Sequence, residues 1–338
     1  MFYKTIIQGR LSFGTQKSFD KVVKMFEYRT ETYYKSDILV QKEDIFNSEE
    51  LTLVIPRYVG NASDKNFKNT VSLLAYCSQF AIAGSLQAWM IDEGKVKNRA
   101  SIQPESDRTV VQQFNKGDKL FREKGKSEEA LDAFSKTIEG YNNHGQAYER
   151  RGWVNLRFKN FSDALYDFNK AIALDDTIAF AYYGRGLIAM NEGNTEEAIA
   201  DFQNTIKRSV ALESVHWRAR LRKAECLMEL EDWDKTAFEL KFFTRRVFEH
   251  GDSNVHRRPR ALCLYGITMY ELEEYEDAIQ LIDEALVLKT KTSKDFNEAQ
   301  AILYRGLAKQ KLRKKDAKKD IEDAARMGDI RALEMIKA

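Results

Sequence analysis

The chain has 338 residues, 43% hydrophobic and 31% charged, which is ample for a sizeable core spread over two or three domains. With 54 basic against 52 acidic residues the net charge is +2, so no global excess points to nucleic acid. The three cysteines, Cys77, Cys226 and Cys263, are too few and too scattered for a disulfide framework and suit a reducing compartment. The opening MFYKTIIQGRLSFG has too short an apolar run for a signal peptide, and no stretch approaches the 18 apolar residues of a membrane span. A cytoplasmic location without membrane contact is therefore expected.

Residues 2–13 alternate: Thr5, Ile7, Gly9, Leu11 and Phe13 fall on one face, Gln8, Arg10 and Ser12 on the other, which is strand periodicity. In SFDKVVKMFEYRTETYY, Phe19, Val22, Val23 and Phe26 recur at helical spacing. DILVQKEDIF and ELTLVIPRYV read as strands. SDKNFKNTVSLLAYCSQFA reads as a helix with Ser63 as its cap, and SLQAWMIDEGKVKNRASI as two strands about a turn at Asp92, Glu93 and Gly94. The order β-α-β-β-α-β plus a hairpin strand predicts an α+β domain of ferredoxin-like topology over residues 1–104. Pro104 and the polar QPESD mark a linker at 105–108.

From Thr109 onward the text repeats. Gly152 recurs as Gly186, Ala164 as Ala198 and Phe168 as Phe202, each 34 residues on; moving back by the same step gives Ala130 and Phe134. A fourth copy keeps Ala224 and Trp233, a fifth Gly266, Tyr275, Ala278 and Ala285, and a sixth Gly306, Ala317 and Ala324 with one residue dropped in its turn. Each copy reads as two helices, with Asn160 and Ser162 as turn and cap residues in the second, and Ala164, Phe168 and Ala171 as one stripe of its second helix. Gly152 and Ala164 fall where the paired helices cross. A single hairpin cannot cover its own apolar face, so the copies must stack. About four extra residues precede the fourth copy and about eight the fifth, near EHGDSNVHRRPR, predicting longer helices or protruding loops. ARMGDIRALEMIKA reads as a final capping helix.

Six such copies over 109–338 resemble the tetratricopeptide repeat family, whose 34-residue unit has small residues where Gly152, Ala164 and Ala171 stand and a large apolar one where Phe168 stands. The fourth copy departs most, with Thr236, Leu240 and Phe243 in place of Ala, Phe and Ala. The resemblance implies an all-α solenoid whose first helices line an inner groove. The groove residues would be Glu149, Trp153 and Leu156, then Tyr183, Leu187 and Met190, then Leu221, Glu225 and Met228, then Ile267 and Tyr270, and finally Leu303 and Leu307. One branch of the family grips a chaperone C-terminal carboxylate with lysine and asparagine. Tyr183 and Leu187 replace that set here, so a chaperone role is disfavoured.

Catalytic signatures are missing: the sequence has no GxxxxGK[ST], HExxH, GxSxG or CxxC. His250, His256 and Asp252 share a loop, but their spacing fits no standard metal set. In the N-terminal domain Asp37, Glu43 and Asp44 are the only close acids, and LTLVIPRYV lacks the stacked aromatics of an RNA-recognition strand. The basic runs RARLRK, HRRPR and KQKLRKKDAKKD read first as solvated helix faces and second as a docking face for an acidic partner or a nucleic-acid backbone. The expectation is a non-enzymatic protein–protein interaction adaptor. It would need no cofactor and no metal, and would bind a peptide or amphipathic helix of another protein, with self-association as a further mode and nucleic acid not expected. The alternative is an enzyme or nucleic-acid-binding protein, with its activity in the N-terminal domain or the basic C-terminal repeats.

Overall fold

The computed structural model describes residues 1–249, 251–290, 293 and 295–337. They form two compact units, Met1–Gly184 and Arg185–Ala338.

The first unit opens with β1 (Tyr3–Ser12), α1 (Gln16–Thr32), α2 (Lys42–Ile45), β2 (Phe46–Asn47), β3 (Thr52–Ala62), α3 (Asp64–Ser78), β4 (Ala83–Asp92) and β5 (Lys95–Ile102). The sheet order is β2-β3-β1-β4-β5, and every pair is antiparallel. Strands two, three, one and four thus lie in the ferredoxin-like order, with β5 added as a hairpin through Glu93 and Gly94, both at positive φ. Alternation places Thr5, Ile7 and Leu11 of β1 in the core beside Phe19, Val22 and Phe26 of α1. Thr15 caps α1 by accepting from the Ser18 amide, and Ser63 caps α3 by accepting from the Asn66 amide.

One expected strand is largely absent. In DILVQKEDIF, residues 42–45 are helical and only Phe46, with Asn47, pairs in the sheet. Ile38 and Val40 are buried all the same. The backbone there bonds to side chains of α3 instead of a strand: the Leu39 amide donates to Thr70 Oγ1 at 2.9 Å, and Asn69 Nδ2 donates to the Asp37 carbonyl at 3.1 Å.

The same unit continues through α4 (Thr109–Arg122), α5 (Ser127–Gly140), α6 (Gly145–Arg157) and α7 (Phe161–Leu174) into α8 (Ala179–Asn191), within which the division falls. The sheet and these helices share packing. Arg108 Nη2 donates to Ser18 Oγ at 3.2 Å and Gln146 Nε2 to Ser85 Oγ at 2.8 Å, while Ile82, Pro104, Val111, Phe114 and His144 close around one another.

The second unit holds α9 (Thr195–Arg208), α10 (Ser214–Glu229), α11 (Trp233–Arg245), α12 (Arg258–Glu271), α13 (Tyr275–Leu288), α14 (Glu298–Lys311), α15 (Ala317–Arg326) and α16 (Ile330–Lys337). Consecutive helices pack on one another from α9 to α16, so each apolar stripe is covered by the next helix in sequence. The first insertion lengthens a helix: α10 has 16 residues where α6 has 13. The second is anchored at two of its residues. Asn254 is fully buried and donates to the Ser214 carbonyl at 3.0 Å, and Phe248 packs edge-on to Trp217 at 5.8 Å.

Candidate interaction surface

The repeat geometry rests on one ring and two missing side chains. A Cβ on Gly152 would lie 2.9 Å from the Phe168 ring, and one on Gly184 would lie 2.3 Å from it. The aromatic ring therefore fills the space left by a glycine of its own hairpin and by another in the following helix. The atoms nearest a Cβ on Gly152 are those of the Phe168 ring, while at Gly266 and Gly306 the carbonyls of Ala278 and Ala317, at 3.1 and 3.2 Å, also lie beside the missing side chain. Gly117 with Phe134, Gly186 with Phe202 and Gly266 with Ile282 repeat the arrangement. Asn160 occupies the position before α7, but its side chain makes no capping hydrogen bond.

An ion pair joins the two helices of four hairpins. Arg151 grips Asp167 (2.8 Å), Arg185 grips Asp201 (2.7 Å), Lys223 grips Glu239 (2.8 Å) and Arg305 grips Asp320 (2.7 Å). The acids are buried, and burial pushes the Asp167 carboxyl up in pKa against the opposing pull of Arg151. A shared residue offset between helices could have revealed the pairing, but isolated charges on amphipathic helices read as solvated.

In the first unit, Glu149 is buried at 3% exposure and its pKa is raised by that burial; Arg150 bonds it at 3.1 Å and reaches Asp118 at 3.0 Å. The indole Nε1 of Trp153 is buried without an acceptor in hydrogen-bond geometry, although its N–H lies near enough to favour the charged Glu149. Trp153 is half-buried, edge-on to Phe168 at 5.5 Å and 6.1 Å from Tyr183, which is itself buried. Leu156 is half-buried one turn further along α6. So the structure brings Glu149, Trp153 and Leu156 onto α6 with Tyr183 behind the tryptophan.

In the second unit, Leu187 and Met190 are half-buried on α8. Leu221 is buried among Trp217, Leu240 and Phe243, whereas Met228 on the same helix is half-buried against Leu262, Cys263 and Ile267. Ile267 is buried; Tyr270 is half-buried and meets Tyr304 edge-on at 5.4 Å. Leu303 and Leu307 are core residues. Glu225 lies between Arg222 (2.7 Å) and Arg260 (3.0 Å).

Catalytic chemistry finds little footing. Burial pushes the thiols of Cys77, Cys226 and Cys263 up to about 12, far from a reactive thiolate. Among the described residues no cluster of three His, Cys, Asp or Glu could hold a metal; His250 lies outside them. Asp37 is taken by Lys65 at 2.5 Å. A cavity of about 450 Å³ in the first unit is lined by Arg10, Glu50, Tyr141, Gln146 and Asp175, but Arg10 is bonded to Glu50, Gln146 to Ser85 and Asp175 to Thr177. No helix of the described residues is long and apolar enough to cross a membrane.

Fold and surface together define a helical-repeat protein, with an α+β sheet ahead of stacked hairpins whose first helices keep apolar side chains half-open. A family model of the tetratricopeptide repeat matches residues 119–177 and 183–240, and the hairpins within those spans are tetratricopeptide repeats. Two solved structures share the fold. YrrB, described as a TPR protein with an unusual peptide-binding site, is 19% identical; the match covers 62% of this chain and 100% of YrrB at a TM-score of 0.51. PilF of Pseudomonas aeruginosa is 15% identical, with 68% of this chain and 98% of PilF covered at a TM-score of 0.53. No match was found among curated proteins.

Proposed function

We propose that the chain is a non-enzymatic cytoplasmic adaptor, with an α+β domain over residues 1–104, a linker at 105–108 and repeats over 109–338 that bind a peptide or amphipathic helix of another protein. The observation that carries this reading is the graded burial of the first-helix residues. Trp153, Leu156, Leu187, Met190, Met228 and Tyr270 keep accessible apolar surface, while Glu149, Tyr183, Leu221 and Ile267 are buried. Within each unit, half-open Trp, Leu or Met side chains on first helices suit an apolar peptide face, because anchors that are already ordered lose little entropy on binding. The peptide site named for YrrB supports the same use of this fold. Three free, buried cysteines suit a reducing compartment.

A photo-crosslinking amino acid placed singly at Leu156, Met190 and Met228 should capture the partner. The same group at Tyr166 or Phe238, exposed on second helices, should not. Equal capture at all five positions, or capture only at the last two, would remove the first-helix faces from consideration.

A further inference from the structure

Two basic runs, RARLRK on α10 and HRRPR at the start of α12, converge on a single carboxylate. Glu225 is 7% exposed; Arg222 donates to its Oε2 at 2.7 Å, and Arg260 lies 3.0 Å from its Oε1. Arg218 stands one turn before Arg222 on α10, and Arg257 one turn before Arg260. Arg218 is anchored by hydroxyls alone, to Ser253 Oγ at 2.9 Å and Ser214 Oγ at 3.3 Å, and no carboxylate among the described residues pairs with it. Among the described residues the one carboxylate paired with Arg257 is Asp295, at 3.8 Å. The Nε atoms of Arg218 and Arg257 are buried without an acceptor. Arg222, Arg257 and Arg260 keep about 30% of their side-chain surface open (29%, 31% and 31%). Two guanidinium groups are therefore held on one buried acid, and one turn before each of them a further guanidinium is held by hydroxyls or by one loosely paired acid. A purely solvated charge run would extend into water and need no such support.

Resting on the adaptor reading above, we propose that this arginine cluster on α10 and α12 is an anion-reading subsite that takes Asp or Glu side chains of the bound peptide. Carboxylates match guanidinium forks in plane and spacing, and partly desolvated arginines lose less hydration on pairing than lysines do. Glu225 holds two of the forks in place and also partly neutralises them. The half-open neighbour on α10 is Met228, an aliphatic surface suited to a leucine of the same peptide; single-stranded nucleic acid would instead need aromatic faces for its bases.

The test uses the full chain and three labelled probes: a peptide with Glu and Leu at helical spacing, its Lys-for-Glu counterpart, and an oligouridylate of matched charge. Fluorescence anisotropy should show saturable binding of the Glu peptide that weakens with salt, and none of the Lys peptide. Arg218→Gln with Arg257→Gln should weaken the Glu peptide about tenfold, with the helical CD signal unchanged. Glu225→Gln, which frees two guanidinium groups, should tighten it by about threefold; a merely structural role for the arginines would not produce that gain. Binding of the Lys peptide as tightly as the Glu peptide, or indifference to both sets of substitutions, overturns the subsite while leaving the apolar faces intact. Tighter binding of oligouridylate, lost with the same arginines, overturns it in favour of nucleic acid. Failure of both peptides while crosslinking at Met228 still captures a partner sinks the subsite alone; failure of the crosslinking as well sinks the adaptor reading.

Discussion

The hairpin α6–α7 and the hairpin α10–α11 solve the same packing problem with different residues. In the first, Gly152 leaves room for Phe168, and Arg151 reaches Asp167. In the second, Ala224 and Leu240 occupy the corresponding places, both fully buried, and Lys223 reaches Glu239. A side chain gained on one helix is offset by a smaller one on the other. An arginine–aspartate pair is likewise replaced by a lysine–glutamate pair of similar reach. What is held constant is the volume and charge across the helix crossing, not the residue at any one position, as expected of a core packed to crystal-like density.

The sharpest way to break that equivalence is to remove the ring. Phe168→Ala should cost about 3–5 kcal/mol in urea unfolding, since it empties the space lined by both Gly152 and Gly184. A milder cycle tests the trade directly. Gly152→Ala alone should destabilise by about 1–3 kcal/mol through overpacking against the ring. In a Phe168→Leu background, which reproduces the pairing of the second hairpin, the same substitution should be neutral or stabilising, because the added methyl fills space and alanine is the better helix former by about 1 kcal/mol. Additive costs in the double variant would show that the two hairpins are not interchangeable solutions.

The repeats were legible because a stacked hairpin forces small residues, a large apolar residue and a fixed length into every copy, and the ferredoxin-like order followed from strand and helix periods that do not overlap. The miss in DILVQKEDIF has a local cause. Alternating Ile38 and Val40 look like a strand whether the backbone partners are a neighbouring strand or, as here, the side chains of Thr70 and Asn69. The surface was harder to read. Spacing puts Tyr183, Leu187, Leu221 and Met228 on first helices alike, but only packing decides that Tyr183 and Leu221 are covered while Leu187 and Met228 stay half-open. The charged pairs were harder still, because their partners lie on different helices and are marked only by an offset that recurs between hairpins, while nothing in a single helix's pattern marks an acid as buried.

Two histidines stand at equal distances before the small first-helix residues of these same hairpins, His144 before Gly152 as the cap of α6 and His216 before Ala224 within α10, and both are buried. His144 accepts the Ala147 amide through Nδ1 at 3.2 Å and stacks on Phe114 at 4.6 Å. Burial lowers its pKa to about 3. The folded state therefore prefers the neutral ring. Its contribution is fully present above the unfolded value of about 6.5 and is lost as pH falls from there toward 3. At pH 5 this amounts to about 2 kcal/mol relative to pH 8. His144→Asn keeps a capping oxygen without a titrating group, so the difference between variant and wild-type stability should move by that amount between the two pH values. A parallel response of both proteins to pH would place the acid sensitivity elsewhere.

The smallest expected effects lie in the turns between paired helices, where the comparison extends to all six hairpins. The residue there has positive φ every time: Gly125, Lys159, Gly193, Glu231, Glu273 and Arg313. Only two are glycine, so four hairpins, including both compared above, hold an L residue in the left-handed region at a cost of about 1–2 kcal/mol. Lys159→Gly and Glu231→Gly should each stabilise by about 1 kcal/mol, the remainder being lost to the greater freedom of glycine in the unfolded chain. Gly193→Ala should cost a similar amount, and purely through the backbone, since a Cβ there would meet nothing within 4 Å. Urea midpoints of the three variants would check the set. A loss at Lys159 together with a gain at Glu231 would mean that the lysine stem contributes packing in its hairpin that the glutamate does not, and the two turns would cease to be equivalent.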